Sequence, residues 1–179
     1  MRRLTAALCG AVLSLVLSTS AWALTVDPNP LEFQVGHQTK GSVDFNISGT
    51  TLEMTVNVVK GRVSKTRVSV DGRTPLSAGW VDGPGVNIRR IKIRSNGRVD
   101  FYFKTSFFHN HIHAGNSSDL HYVTYDTLAA GDVITFTGFR NNIFGSFGSV
   151  QATIVPEPSA AIMVGLGLVG LVIAGRRRA

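Results

Sequence analysis

The chain has 179 residues with 18 Lys and Arg against 11 Asp and Glu, five His and one Cys, for a formal net charge of +7. Its length suits a single domain with a proper core, and one Cys excludes a disulfide framework or a Cys-zinc cluster. The basic balance is mostly an address: Arg2, Arg3, Arg176, Arg177 and Arg178 sit in the two end segments, whereas residues 24–155 hold 13 basic against 10 acidic side chains.

At the N-terminus, Arg2-Arg3 precede an apolar run from Leu4 to Leu17 and the small-x-small site Ala21-Trp22-Ala23. A positive start, an apolar middle and such a site predict a secretory signal peptide over 1–23, cut after Ala23 by signal peptidase. Cys9 falls inside it, and its early position after Leu8 argues against a lipoprotein. The mature chain then has no Cys, and an exported domain must stand on its core alone.

Residues 24–155 read as strands throughout. Leu31 to Val35, Ser42 to Ile47, Leu52 to Val59, Val63 to Val70, Val86 to Ile93, Val99 to Phe108, His121 to Tyr125, Val133 to Phe139 and Val150 to Val155 are short, β-branched or aromatic, and often alternate apolar with polar. Ser48-Gly49-Thr50 and Asn96-Gly97 predict tight hairpin turns, the second a type I′ pair. Asp71-Gly72 opens a longer loop through Arg73-Thr74-Pro75 to Asp82-Gly83-Pro84-Gly85, where Gly and Pro oppose regular structure. About nine strands with no amphipathic helix predict an all-β fold, an antiparallel β-sandwich of Greek-key or jelly-roll type, with a closed barrel as the alternative.

Three features of this domain bear on chemistry. His109, His111 and His113, with His121 after the Gly115-Asn116-Ser117-Ser118 turn, make a histidine cluster. If extended, the first three share one face, and imidazoles suit Zn or Cu, with Asp119 as a further ligand. Extended neighbours stand nearly 7 Å apart, so one ion would take two of the three and a ligand from elsewhere. No Glu lies near in sequence as a base, which favours a bound metal without catalysis over a metal enzyme. The plain reading is a solvated polar patch at a strand end.

Next, Arg90, Lys92 and Arg94 alternate with Ile91 and Ile93, and Lys65 and Arg67 add to the stripe if their strand lies alongside. Such a face can hold an acidic exopolysaccharide or another polyanion, or merely protect an edge strand from aggregation. Export argues against nucleic acid as the ligand. Finally, alternation places Phe101 and Phe103 in the core and leaves Trp80 as a candidate ring for stacking on a glycan. No Ser/His/Asp set, phosphate loop or spaced carboxylate pair stands out, so a non-enzymatic module is the leading expectation.

The tail carries the strongest signal. Pro156-Glu157-Pro158 is followed by an uncharged apolar run, Ala160 to Gly175, and then by Arg176-Arg177-Arg178. The run is long enough for a helix of roughly 24 Å, slightly short of a ~30 Å hydrocarbon core. Local thinning or snorkelling can close that gap, and the arginines fix their own end in the cytoplasm. A single transmembrane helix within 156–179 is predicted, with residues 24–155 outside the inner membrane.

These tail residues resemble the PEP-CTERM sorting domain of Gram-negative bacteria that often produce exopolysaccharide. The resemblance covers only the tail. It implies recognition and cutting near Pro156, Glu157 and Pro158 by an exosortase, a membrane processing enzyme, transient anchoring, and release to the cell surface or extracellular matrix. It implies nothing about the fold or activity of residues 24–155.

Overall fold

The computed structural model describes residues 23–35, 38–103, 111–139 and 146–157, together with Gly165, Gly167 and Gly175. Alternation of apolar and polar residues dominates the chain, and it folds accordingly into strands: β1 (Leu24–Asp27), β2 (Leu31–Val35), β3 (Gln38–Ser48), β4 (Thr51–Val58), β5 (Arg62–Val63), β6 (Lys65–Val70) and β7 (Pro75–Val81). They continue with β8 (Ile88–Ile93), β9 (Val99–Phe103), β10 (Ile112–His113), β11 (Leu120–Tyr125), β12 (Val133–Phe139) and β13 (Ser146–Pro156). Leu24–Val155 form one compact unit.

One sheet has six strands in the order β1-β13-β12-β6-β9-β8, and the other has five in the order β2-β3-β4-β11-β7. β5 and β10 pair separately, Ile112 opposite Val63 and His113 opposite Arg62. The described registers are antiparallel. Among the described strands, β1 and β8 are the edges of the first sheet and β2 and β7 those of the second.

β4 shows why the sheets stack. Leu52, Met54, Val56 and Val58 are buried while Thr51, Glu53, Thr55 and Asn57 are half-buried, so one face must find an apolar partner. That partner is the facing sheet. Phe33 of β2 and Phe45 of β3 meet Phe136 of β12 with ring centroids 5.8 and 6.4 Å apart. Each such side chain, fully buried, contributes roughly 1.5–3 kcal/mol. An all-β architecture of antiparallel sheets is therefore what the alternation required.

Several local expectations are corrected. The segment from Arg73 to Gly85 is not one irregular loop: Pro75–Val81 form β7, with Trp80 in that strand, and only the residues around it are irregular. Pro can stand here because it opens an edge strand, where no ladder bond needs its missing N–H. The expected strand Val63 to Val70 breaks at Ser64 into β5 and β6. Ser64 bonds instead to Phe139 O, its amide at 2.8 Å. β9 ends at Phe103, and the remainder of the expected strand through Phe108 falls in 104–110, outside the described residues.

The Asn96-Gly97 hairpin exists but is not type I′. Gly97 has φ 76°, and no described non-Gly residue has positive φ, so Asn96 cannot supply the first left-handed position. Gly97 N donates to Arg94 O at 3.1 Å and Arg94 N to Arg98 O at 2.9 Å. This is a three-residue loop, Ser95-Asn96-Gly97, closed by a left-handed glycine. The Ser48–Thr51 turn has positive φ at Gly49 alone, the pattern of a II′ turn.

Candidate functional site

The basic residues converge on the outer face of the six-stranded sheet. β9 lies between β6 and β8, so Lys65 and Arg67 do not adjoin Arg90, Lys92 and Arg94 directly. Tyr102 and Asp100 stand between them. Lys65 and Arg90 both pair with Tyr102, and Arg67 and Lys92 both pair with Asp100. Phe101 and Phe103 point the other way, into the core, as alternation predicts.

Asp100 organises this face. Arg67 Nε reaches its Oδ1 at 2.6 Å, and Arg94 donates to Oδ2 through Nε at 2.7 Å and Nη2 at 2.6 Å. Burial alone would raise the Asp100 carboxyl, but the two guanidinium groups outweigh it and hold the pKa below the usual value. The Arg94 guanidinium is raised in return by the same hydrogen bond. Lys65 is nearly buried, with Nζ 3.8 Å from the Phe139 ring centroid. Burial pulls its pKa down, against the attraction of Asp100. Arg90 and Lys92 are exposed, with the Arg90 guanidinium 6.0 Å from the centroid of the Tyr102 ring. β8 is an edge strand, so these two cations also protect the edge.

Asp100 is the residue that sequence reading missed. Its signal is a carboxylate at an outward position of an otherwise apolar strand, which demands cations from both flanking strands.

The histidines divide. His109 lies outside the described residues. His111 is buried and His113 exposed, their ring centroids 4.2 Å apart. His121 is a core residue. It lies against Phe101 at 4.6 Å and Phe103 at 5.9 Å between ring centroids, and its Nδ1 is 3.1 Å from Asp119 O. Burial lowers its pKa to about 4, so the ring is neutral near pH 7. Among the described residues no group of three His, Cys, Asp or Glu side chains is placed to hold a metal. The four-histidine arrangement is thus not assembled by the residues on view.

Trp80 is exposed, at 41%. It pairs with His121 across β7 and β11, on the inward side of the sheet, and its Nε1 donates to Asp82 Oδ1 at 2.9 Å. Its ring is exposed on the edge strand β7.

At the tail, β13 runs to Pro156, which is exposed, and Glu157 N donates to Ala23 O at 2.8 Å. Pro158, Arg176, Arg177 and Arg178 lie outside the described residues, as does the leader with Ala21. Of the expected membrane helix, only Gly165, Gly167 and Gly175 are described, all with helical backbone. Among the described residues no helix is long and apolar enough to cross a membrane.

An antiparallel all-β domain followed by a Pro-Glu-Pro segment has the organisation of a sorted export substrate. Residues 155–178 match the PEP-CTERM protein-sorting motif. No curated protein matches the chain. The motif implies export, sorting to the cell envelope or surface, and processing by an exosortase-like membrane enzyme.

Proposed function

We propose that the domain, once sorted and released from its tail, is a non-enzymatic component of the cell surface or extracellular matrix that associates with acidic exopolysaccharide. The outer face of β6, β9 and β8 carries this reading: Lys65, Arg67, Arg90, Lys92 and Arg94 surround a single carboxylate and a tyrosine ring. Asp100 engages Arg67 and Arg94 and sets them at fixed positions. Arg90 and Lys92 stay exposed at the edge, where the carboxylates of a flexible polymer can reach them. Tyr102, half-buried between the two rows, offers a sugar ring a partly apolar floor. Such contacts are individually weak and screened by salt, so affinity grows with the number of sugar acids engaged.

Binding to alginate, set against neutral dextran, tests this. Arg90→Ala with Lys92→Ala should weaken alginate binding roughly thirtyfold at low salt, at about 1 kcal/mol per cation near an anionic surface. The binding should fade in about 0.5 M NaCl, where the Debye length is well below that of dilute buffer. Equal binding to both polymers, or no effect of the double substitution, would remove the polyanion reading.

A further inference from the structure

We propose a second site, unrelated to the basic face: a calcium site formed by Asp119 and the Asp82–Gly85 loop at the rim of the sandwich. The starting point is strand parity. Asp119, His121, Val123 and Tyr125 alternate toward the core, so the segment entering β11 sends a carboxylate inward. Asp119 is 2% exposed, and among the described residues neither Oδ1 nor Oδ2 has a hydrogen-bond partner. A desolvated carboxylate is among the costliest groups to leave unpaired, and no described Lys or Arg bridges to it.

The carboxylate lines a cleft of about 540 Å³ whose other walls include Asp82, Gly83, Gly85 and Asn116. Its loop is built close around it. Val86 N donates to Ser117 O at 2.8 Å and Asp119 N to Val86 O at 3.1 Å, tying the loop to the Asp119 segment. Gly85 packs so near that a Cβ there would lie 2.5 Å from the Asp119 amide nitrogen. At Gly83 a Cβ would lie 3.3 Å from Asp119 Oδ1 and 3.9 Å from Val81 O. A carboxylate oxygen and a carbonyl oxygen thus flank the same point, and glycine leaves that point open.

The chemistry of this lining selects the cation. Asp82 adds a second carboxylate, with its Oδ1 held by Trp80 Nε1, and the remaining polar lining is carbonyl, hydroxyl and amide, with no imidazole or thiol. Oxygen donors select hard cations, and irregular loop carbonyls suit the larger, geometrically tolerant Ca²⁺ better than strictly octahedral Mg²⁺. The affinity should fall in the range of extracellular modules, with Kd of about 10⁻⁴–10⁻³ M. This site differs from a histidine site in donors, position and metal.

The test uses the full chain, stripped with chelator and titrated with CaCl₂ by calorimetry and by thermal unfolding. Wild type should bind one calcium, and about 10 mM should raise Tm by several degrees through selective binding to the folded state. Mg²⁺ should do much less. Asp119→Asn should lose the calcium response and, without calcium, be at least as stable as wild type, because the buried charge is gone. Should Asp119→Asn fail to fold, Gly83→Val replaces it, since its side chain lies against Oδ1 and must abolish the response. Absence of saturable calcium binding by wild type, or an undiminished response in the folded variant, would overturn the proposal and mark Asp119 as a carboxyl group that needs no cation.

Discussion

Asp100 sets two large effects against each other. Its side chain is fully buried, which penalises charge, yet Arg67 and Arg94 approach within 2.6 Å. Pairing wins, and the folded carboxyl titrates below the ordinary aspartate range. A carboxyl with a depressed folded pKa contributes stability that is fully present above its unfolded value and lost as pH falls through the folded one. Urea midpoints should therefore fall in acid below about pH 4, where the unfolded chain's aspartate begins to take up a proton that Asp100 in the fold still resists. Asp100→Asn should cost about 2–3 kcal/mol at pH 7, less than a wholly buried pair because both arginines are partly exposed, and should flatten that acid limb. An unchanged acid limb in the variant would assign the acid sensitivity to other groups. The same residue scale shows where sequence reading stopped. His121 belongs to a polar cluster in one dimension, but its neighbours in space are Phe101 and Phe103, contributed by the facing sheet. Nothing in the spacing from His113 to His121 reports that sheet.

Strand alternation made β2, β11 and β12 legible to within a residue, because in β2 and β11 one face is buried and the other is not, and β12 departs from that only near its end, where Thr137 is buried as well. β7 escaped for the opposite reason. It is an edge strand that buries Pro75 and leaves Leu76, Ser77, Trp80 and Val81 exposed, and it contains both Pro75 and Gly79. Gly79 is required by packing: a Cβ there would stand 2.6 Å from Tyr122 Cζ, whose ring covers that position from the neighbouring strand. Only the pairing of Tyr122 with Gly79 explains a glycine within a strand, and pairing is a long-range property. The β8–β9 turn was located correctly and typed wrongly, since Asn-Gly can serve either a two-residue or a three-residue loop. Gly97, at φ 76°, lies at the left-handed closing position. Gly97→Ala should destabilise the domain by about 1–2 kcal/mol, measured by chemical unfolding. A cost near zero would mean that the turn relaxes to another type. Asn96→Gly, by contrast, should not rescue a type I′ turn, because the bond from Arg94 N to Arg98 O fixes the loop length.

At the scale of the molecule, the tail motif and the basic face differ in how legible they are in the sequence. The tail motif over 155–178 is short, contiguous and readable directly. Replacing Pro156, Glu157 and Pro158 with alanines should hold the protein in the inner-membrane fraction at its unprocessed mass, as seen by fractionation and intact-mass measurement. Normal release of that variant would show that sorting does not read these residues. The basic face, by contrast, is assembled from three strands, of which β6 precedes β8 and β9 by some twenty residues of intervening chain and the whole of β7. The stripe on β8 is contiguous and Lys65 and Arg67 can be named beside it from sequence, but the strand that separates the two rows, β9 with Asp100 and Tyr102, is visible only in the fold.

The order β1-β13-β12-β6-β9-β8 gives that sheet a direction. Both chain ends of the domain leave from β1 and β13 at one margin, while the cationic strand is the opposite margin, five interstrand spacings or about 24 Å away. A domain tethered by either end is thus gripped along one side and presents Arg90 and Lys92 on the other. Under the proposed polyanion binding, neither end of the domain competes with Arg90 and Lys92 for the margin that they occupy.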